Sequence, residues 1–86
     1  MRRFRVIWDD DDDPDGNVRH IAEHDLTVED IEYVLENPME EFYSDSTGRP
    51  CCFGYTPAGD YIIVVFEIVE DDVYYPVTAY ETPEPR

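Results

Sequence analysis

The chain opens on alternation. In RFRVIW, residues 3–8, Phe4, Val6 and Trp8 fall on one side of an extended backbone, which predicts a strand. The run DDDDDPDG, residues 9–16, breaks that strand. NVRHIAEH, residues 17–24, reads as a short helix with Asn17 as its N-cap. A second helix is predicted in TVEDIEYVLENP, residues 27–38. Thr27 and Asp30 have the spacing of a capping box in its acidic variant, and Glu29 places negative charge at the positive end of the helix. Val28, Ile31, Val34 and Leu35 form one apolar stripe at helical spacing. Pro38 ends the helix, because it drives Asn37 out of the α region.

Beyond Pro38 the pattern turns to strands and turns. MEEFYSD (39–45), PCCFGYT (50–56), YIIVVFEIV (61–69) and VYYPVTAYE (73–81) read as strands, joined by turns at STGR, PAGD and EDD. The 61–69 run is the richest in β-branched residues and is expected to be central. Pro76 has no amide to give to a ladder, which predicts an edge position or a bulge there. The fold class is therefore α+β: a strand, two helices, then a four-stranded antiparallel meander with the helices packed on one face. Residues 1–86 form one domain, with 9–16 as an acidic connector and 82–86 as a loose tail.

Composition changes this picture in one respect. A hydrophobic share of 42% suffices for a core, but 22 acids face six basic residues, for a net charge of −16. All six bases are arginine. Such a body repels polyanions and favours cationic partners. Its self-repulsion weakens as salt shortens the Debye length from about 10 Å at 0.1 M to about 3 Å at 1 M. The composition thus suits a saline cytoplasm. The N-terminal MRRFRVIW is basic then apolar, but its apolar run is too short for a signal-peptide core, and no small-residue cleavage site follows. Cytoplasmic localisation is expected. Cys51 and Cys52 are neighbours on a strand and point to opposite faces, which predicts one buried and one partly exposed thiol rather than a disulfide or a zinc site.

Candidate chemistry centres on the first helix. His20 and His24 are four residues apart and share a helix face, with Arg19 beside them. Cleavage of RNA through the 2′-hydroxyl needs a base, an acid and stabilisation of the phosphorane, and Tyr75 and Tyr80 on the last strand add phenolic donors. The same histidine pair is half of many zinc sites, with Glu23 or Asp25 as an added oxygen ligand, but no third ligand is set by spacing. Asp11, Asp13, Asp15 and Gly16 match the start of an EF-hand loop. The twelfth position, however, is Ala22 where a glutamate is required, and a strand rather than a helix precedes the loop. A solvated connector is the simpler reading, and no metal or other cofactor is expected. The aromatics Tyr33, Phe42, Tyr43, Phe53 and Tyr55 either pack between the second helix and the sheet or anchor a partner; Tyr33 lies off the helix stripe.

HIAEHDLTVEDIEYVLENP (20–38), taken with Trp8, the strand at 61–69 and TAYE (78–81), resembles the BrnT family. Those are small toxins of type II toxin–antitoxin modules with a RelE-like ribonuclease fold. The family pattern places a tryptophan on the first strand and a histidine–glycine corner before a capped helix. It ends in a small residue, alanine and arginine. His24 matches the corner histidine, and Asp25 stands where glycine is usual. Thr78 and Ala79 match the late pair, and Tyr80 holds the arginine position. The resemblance implies an mRNA ribonuclease; with the residues singled out above, the catalytic candidates are His24, His20, Arg19 and Tyr80, and Arg49 is the candidate RNA contact. It also implies a basic antitoxin as partner. The alternative is a non-catalytic acidic module that binds a basic protein. RNA is disfavoured by charge, a homodimer is left open, and no membrane is expected.

Overall fold

The computed structural model describes residues 4–44 and 48–84. In it the chain runs β1 (Arg5–Val6), α1 (Asn17–Ala22), α2 (Val28–Glu36), β2 (Glu40–Tyr43), β3 (Pro50–Tyr55), β4 (Tyr61–Glu70) and β5 (Val73–Glu81). The predicted turn at 46–49 and the strand end at 45 fall partly outside the described residues, as do Arg3 and the last two residues of the tail.

α2 forms where its local signals lie. Asp30 N–H donates to the Thr27 hydroxyl oxygen at 3.2 Å, and Thr27 N–H donates to the Asp30 carboxylate at 3.0 Å, which closes the capping box. Ile31, Val34 and Leu35 are buried along its inner face, while Tyr33 lies exposed on the outer one. α1 is shorter than predicted and differs at its start. Gly16 is the N-cap, and Asn17 is drawn into tertiary contacts instead.

The sheet has five strands in the order β1-β5-β4-β3-β2. Neighbours from β2 to β5 pair antiparallel, and β1 adds parallel to β5 with Arg5 opposite Val73 and Val6 opposite Tyr74. The sheet is therefore mixed, which corrects the expectation of a purely antiparallel one. β1 is also far shorter than the predicted 3–8 run, for a reason found in β5. After Ile7 N–H donates to Tyr74 O at 2.9 Å, the next outward partner in register is Pro76, which has no amide. Its carbonyl is taken by the Asn17 side chain at 3.0 Å, so α1 begins where β1 lets go. The predicted irregularity is there as well: the β4–β5 register shifts between Val65 and Phe66, whose partners are Thr78 and Pro76.

Both helices pack on one face, against Cys52, Ile62, Val64, Phe66 and Ala79. Gly54 lies directly beneath α2: a Cβ there would meet Val34 Cγ1 at 3.0 Å. Residues alternating with that row face the other way, and there Phe53 stacks between Phe42 at 5.2 Å and Tyr61 at 5.6 Å. Both cysteines are free and buried, which corrects the prediction of one partly exposed thiol, and burial pushes the Cys51 thiol up.

The aspartate run contains one residue that is not a solvated connector. Asp9 accepts hydrogen bonds from Asn17 N–H at 3.0 Å and from the Tyr75 hydroxyl at 2.5 Å, and its own amide donates to Asn17 Oδ1 at 2.9 Å. Gly16 is required beside it, because a Cβ would meet Asp9 Cβ at 2.7 Å. Asp10 to Asp15 are exposed and form turns around the Asp13 carboxylate and carbonyl.

This network predicts a stability profile with two flanks. Donation by Tyr75, then by Asn17 N–H, lowers the Asp9 pKa, so its contribution is present above the ordinary carboxylate range and lost as pH falls through the lowered value. Donation to Asp9, with burial and the Asp9, Asp13 and Glu67 charges behind it, pushes Tyr75 up to about 12. Its contribution is present below the ordinary tyrosine pKa of about 10 and is lost as pH rises through about 12. Tyr75→Phe should therefore remove the last phenolate transition from an ultraviolet titration and move acid unfolding to higher pH. A variant with an unchanged titration end-point would show that the bond does not persist in solution.

Candidate functional site

α1 is held at its start by Asp9 and Asn17 and along its length by Ile21, which is wholly buried in the same cluster as Ala79 of β5. A small residue at 79 lets the helix approach the strand. The helix ends with Leu26 N–H donating to Ile21 O at 3.1 Å and Asp25 N–H to Ala22 O at 3.0 Å, the bonding pattern of a Schellman motif. That motif needs a left-handed residue, and Asp25 takes the role with φ 60°, where glycine is favoured.

This corner turns His24 back toward β5. His20 and His24 have ring centroids 6.0 Å apart, as expected one helical turn away from each other. His24 and Tyr80 are also 6.0 Å apart, across 56 residues of sequence. Tyr80 stands on β5 beyond Tyr74, where the pairing with β1 ends, on a stretch of edge that no strand among the described residues covers. All three side chains are exposed. The structure thus brings together three of the four residues predicted as catalytic, with His24 in the centre. Arg19, the fourth, is exposed on α1 next to His20, and among the described residues it forms no ion pair.

Arg49 is elsewhere. It binds Glu67 at 3.1 Å, and Glu67 pairs with Tyr75, whereas Tyr80 pairs with Ile63. Ile63 and Glu67 are separated by roughly 13 Å along β4 at ~3.3 Å per residue. Arg49 also lies one strand further across the sheet, so it does not join the histidine cluster. Tyr75 is likewise committed to Asp9. Among the described residues no three His, Cys, Asp or Glu side chains converge to hold a metal ion. No helix among them is long and apolar enough to cross a membrane.

A cavity of about 460 Å³ opens at the other end of the molecule, between β2 and the start of β5. Tyr43, Pro50, Phe66, Ile68 and Tyr74 line it, with Glu41 and Asp72 at its rim. Sequence reasoning singled out Phe42 and Tyr43 there but not Ile68 or Tyr74, which lie in runs that read simply as strands.

The electrostatics of the whole chain bear on both regions. With a net charge of −16, stability should rise with salt. Going from about 0.1 M to about 2 M NaCl is expected to raise Tm on the order of 10 °C. The combined variant Asp10→Asn, Asp11→Asn, Asp12→Asn should melt higher than wild type at low salt and respond less to added salt. Equal salt slopes for the two chains would mean that this run does not contribute to the repulsion.

The fold and this seam define a class: a small α+β domain that gathers two imidazoles and a phenol where a short helix crosses an uncovered strand. The chain belongs to the family described as a domain of unknown function (DUF4258), which it matches over residues 17–81, from the start of α1 to the end of β5. No curated protein and no solved structure matches it.

Proposed function

We infer that this chain is the toxin-like half of a type II toxin–antitoxin module, a BrnT-like cytoplasmic domain of RelE-like arrangement that cleaves RNA. The observation that carries the reading is the convergence of His20, His24 and Tyr80 from distant segments onto one exposed seam. Two further features support it. Asp25 is left-handed where the resemblance expects glycine, and Ala79 is buried against α1 where the resemblance expects alanine.

In this reading His24 takes the proton from a ribose 2′-hydroxyl, and O2′ attacks the adjacent phosphorus. The P–O5′ bond breaks, and His20 or the Tyr80 hydroxyl gives a proton to O5′. The products are a 2′,3′-cyclic phosphate and a 5′-hydroxyl. Arg19 offsets charge on the phosphorane. Purified protein incubated with end-labelled RNA, at low and multimolar salt, with and without ribosomes, should yield those ends. RNA intact in every arm would remove the enzyme.

A second reading has its own observation. Arg19 alone among the described residues places a cation beside the cluster, while affinity for nucleic acid comes largely from cationic contacts to phosphate. A chain without activity would be an acidic module for a basic protein.

A further inference from the structure

β2 is the outer strand of the sheet, and all four of its residues are exposed. Among the described residues no strand pairs with its far side, and it carries no proline or bulge that would blunt it. Beside it lies the 460 Å³ cavity, lined in part by Phe66 and Tyr74, with ring centroids 5.0 Å apart. Tyr43 at 68% and Ile68 at 51% exposure stand open on its walls. An edge strand next to an apolar groove is the geometry of strand addition, in which backbone bonds supply affinity and alternate side chains fill pockets.

The charge selects the occupant. Glu40 and Glu41 lie on the edge itself, Asp72 lines the groove, and Glu70 is exposed nearby on β4. A second copy would set Glu40 and Glu41 against their equivalents and bring two bodies of −16 together. A four-residue edge, about 13 Å long, also offers much less area than a self-sufficient dimer needs. We propose that the β2 edge and its groove bind an extended, arginine- or lysine-bearing segment of a partner protein, which adds as a sixth strand and places an apolar side chain between Tyr43 and Ile68. This goes beyond the histidine seam and holds whether or not that seam cuts RNA.

The probe is a short synthetic peptide that alternates arginine with valine and phenylalanine, titrated into the full ¹⁵N-labelled chain. Resonances of Glu40 to Tyr43, Ile68 and Tyr74 should shift, and the β2 amides pointing away from β3 should gain protection from exchange. Binding should fall as salt rises. Glu40→Lys with Glu41→Lys is expected to weaken it about tenfold, and Ile68→Asp, at a half-exposed site, should weaken it while the melting curve stays near wild type. The same peptide with glutamate for arginine should not bind. The proposal is overturned by no shifts at β2, shifts only around His24, insensitivity to charge reversal, or β2 protection already present in the free chain together with a dimeric mass. Spermine that shifts the groove as strongly as the peptide, without protecting β2, would make this a small-cation site and overturn strand addition.

Discussion

Asn17→Ala should lower stability by about 3 kcal/mol, seen as a loss on the order of 15 °C in Tm. The side chain is 2% exposed and makes bonds that no neighbour can replace. Its amide nitrogen donates to Ile7 O and Pro76 O, both at 3.0 Å, and its oxygen accepts from Asp9 N–H at 2.9 Å. Truncation leaves two carbonyls and one amide without partners inside the structure. It also unties β1, α1 and β5 at the one point where all three meet. Asn17→Asp should be no milder, because it turns a carboxylate toward two carbonyls and toward Asp9. For a domain of this length the total stability is only on the order of 4–13 kcal/mol. Thermal and urea melts of the two variants decide the matter. A loss below ~1 kcal/mol for Asn17→Ala would mean that water fills the site and that the network is ornamental to the fold.

The same residue shows what could be read from sequence and what could not. α2 was legible because every signal lies within a few residues: Thr27 and Asp30 meet each other, the stripe repeats at helical spacing, and Pro38 follows. β3 to β5 were legible from alternation and turn residues. Asn17 was misread as a helix cap because asparagine before a helix is normally local in action, whereas its partners here include a carbonyl 59 residues away. Asp9 was hidden by its neighbours, since a carboxylate among five similar ones looks solvated until Tyr75, 66 residues on, is folded against it. The cysteine pair was misjudged because adjacency on a strand sets opposite faces but not what covers each face, and both Cys51 and Cys52 are buried. At the seam, spacing alone joined His20 to His24, while Tyr80 was named only as one of two phenols on the last strand, and the fold brings it to His24 and leaves Tyr75 with Asp9. Arg49 was chosen for its charge, and charge carries no position.

On the ribonuclease reading proposed above, His24→Ala should reduce RNA cleavage by a factor of about 10² or more, with the melting curve little changed because the residue is exposed. The reason is geometric: His24 is the member of the trio in contact with both others, at 6.0 Å from each ring, so its loss separates any proton donor from any acceptor. His20→Ala removes only one neighbour and should cost less. Tyr80→Phe keeps the ring contact and deletes the hydroxyl, so a fall in kcat with KM held would assign that hydroxyl to the transition state. Arg19→Gln should instead raise KM and flatten the dependence on salt. The most informative change adds function. Tyr80→Arg restores the residue that the resemblance expects and puts a second cation at the seam, which should speed cleavage about tenfold at low salt. That gain should shrink at high salt, where the repulsion of a −16 body is already screened. A Tyr80→Arg chain that cuts no faster, beside a His24→Ala chain that cuts no slower, would place the chemistry away from this seam and leave the acidic binding module as the reading that survives.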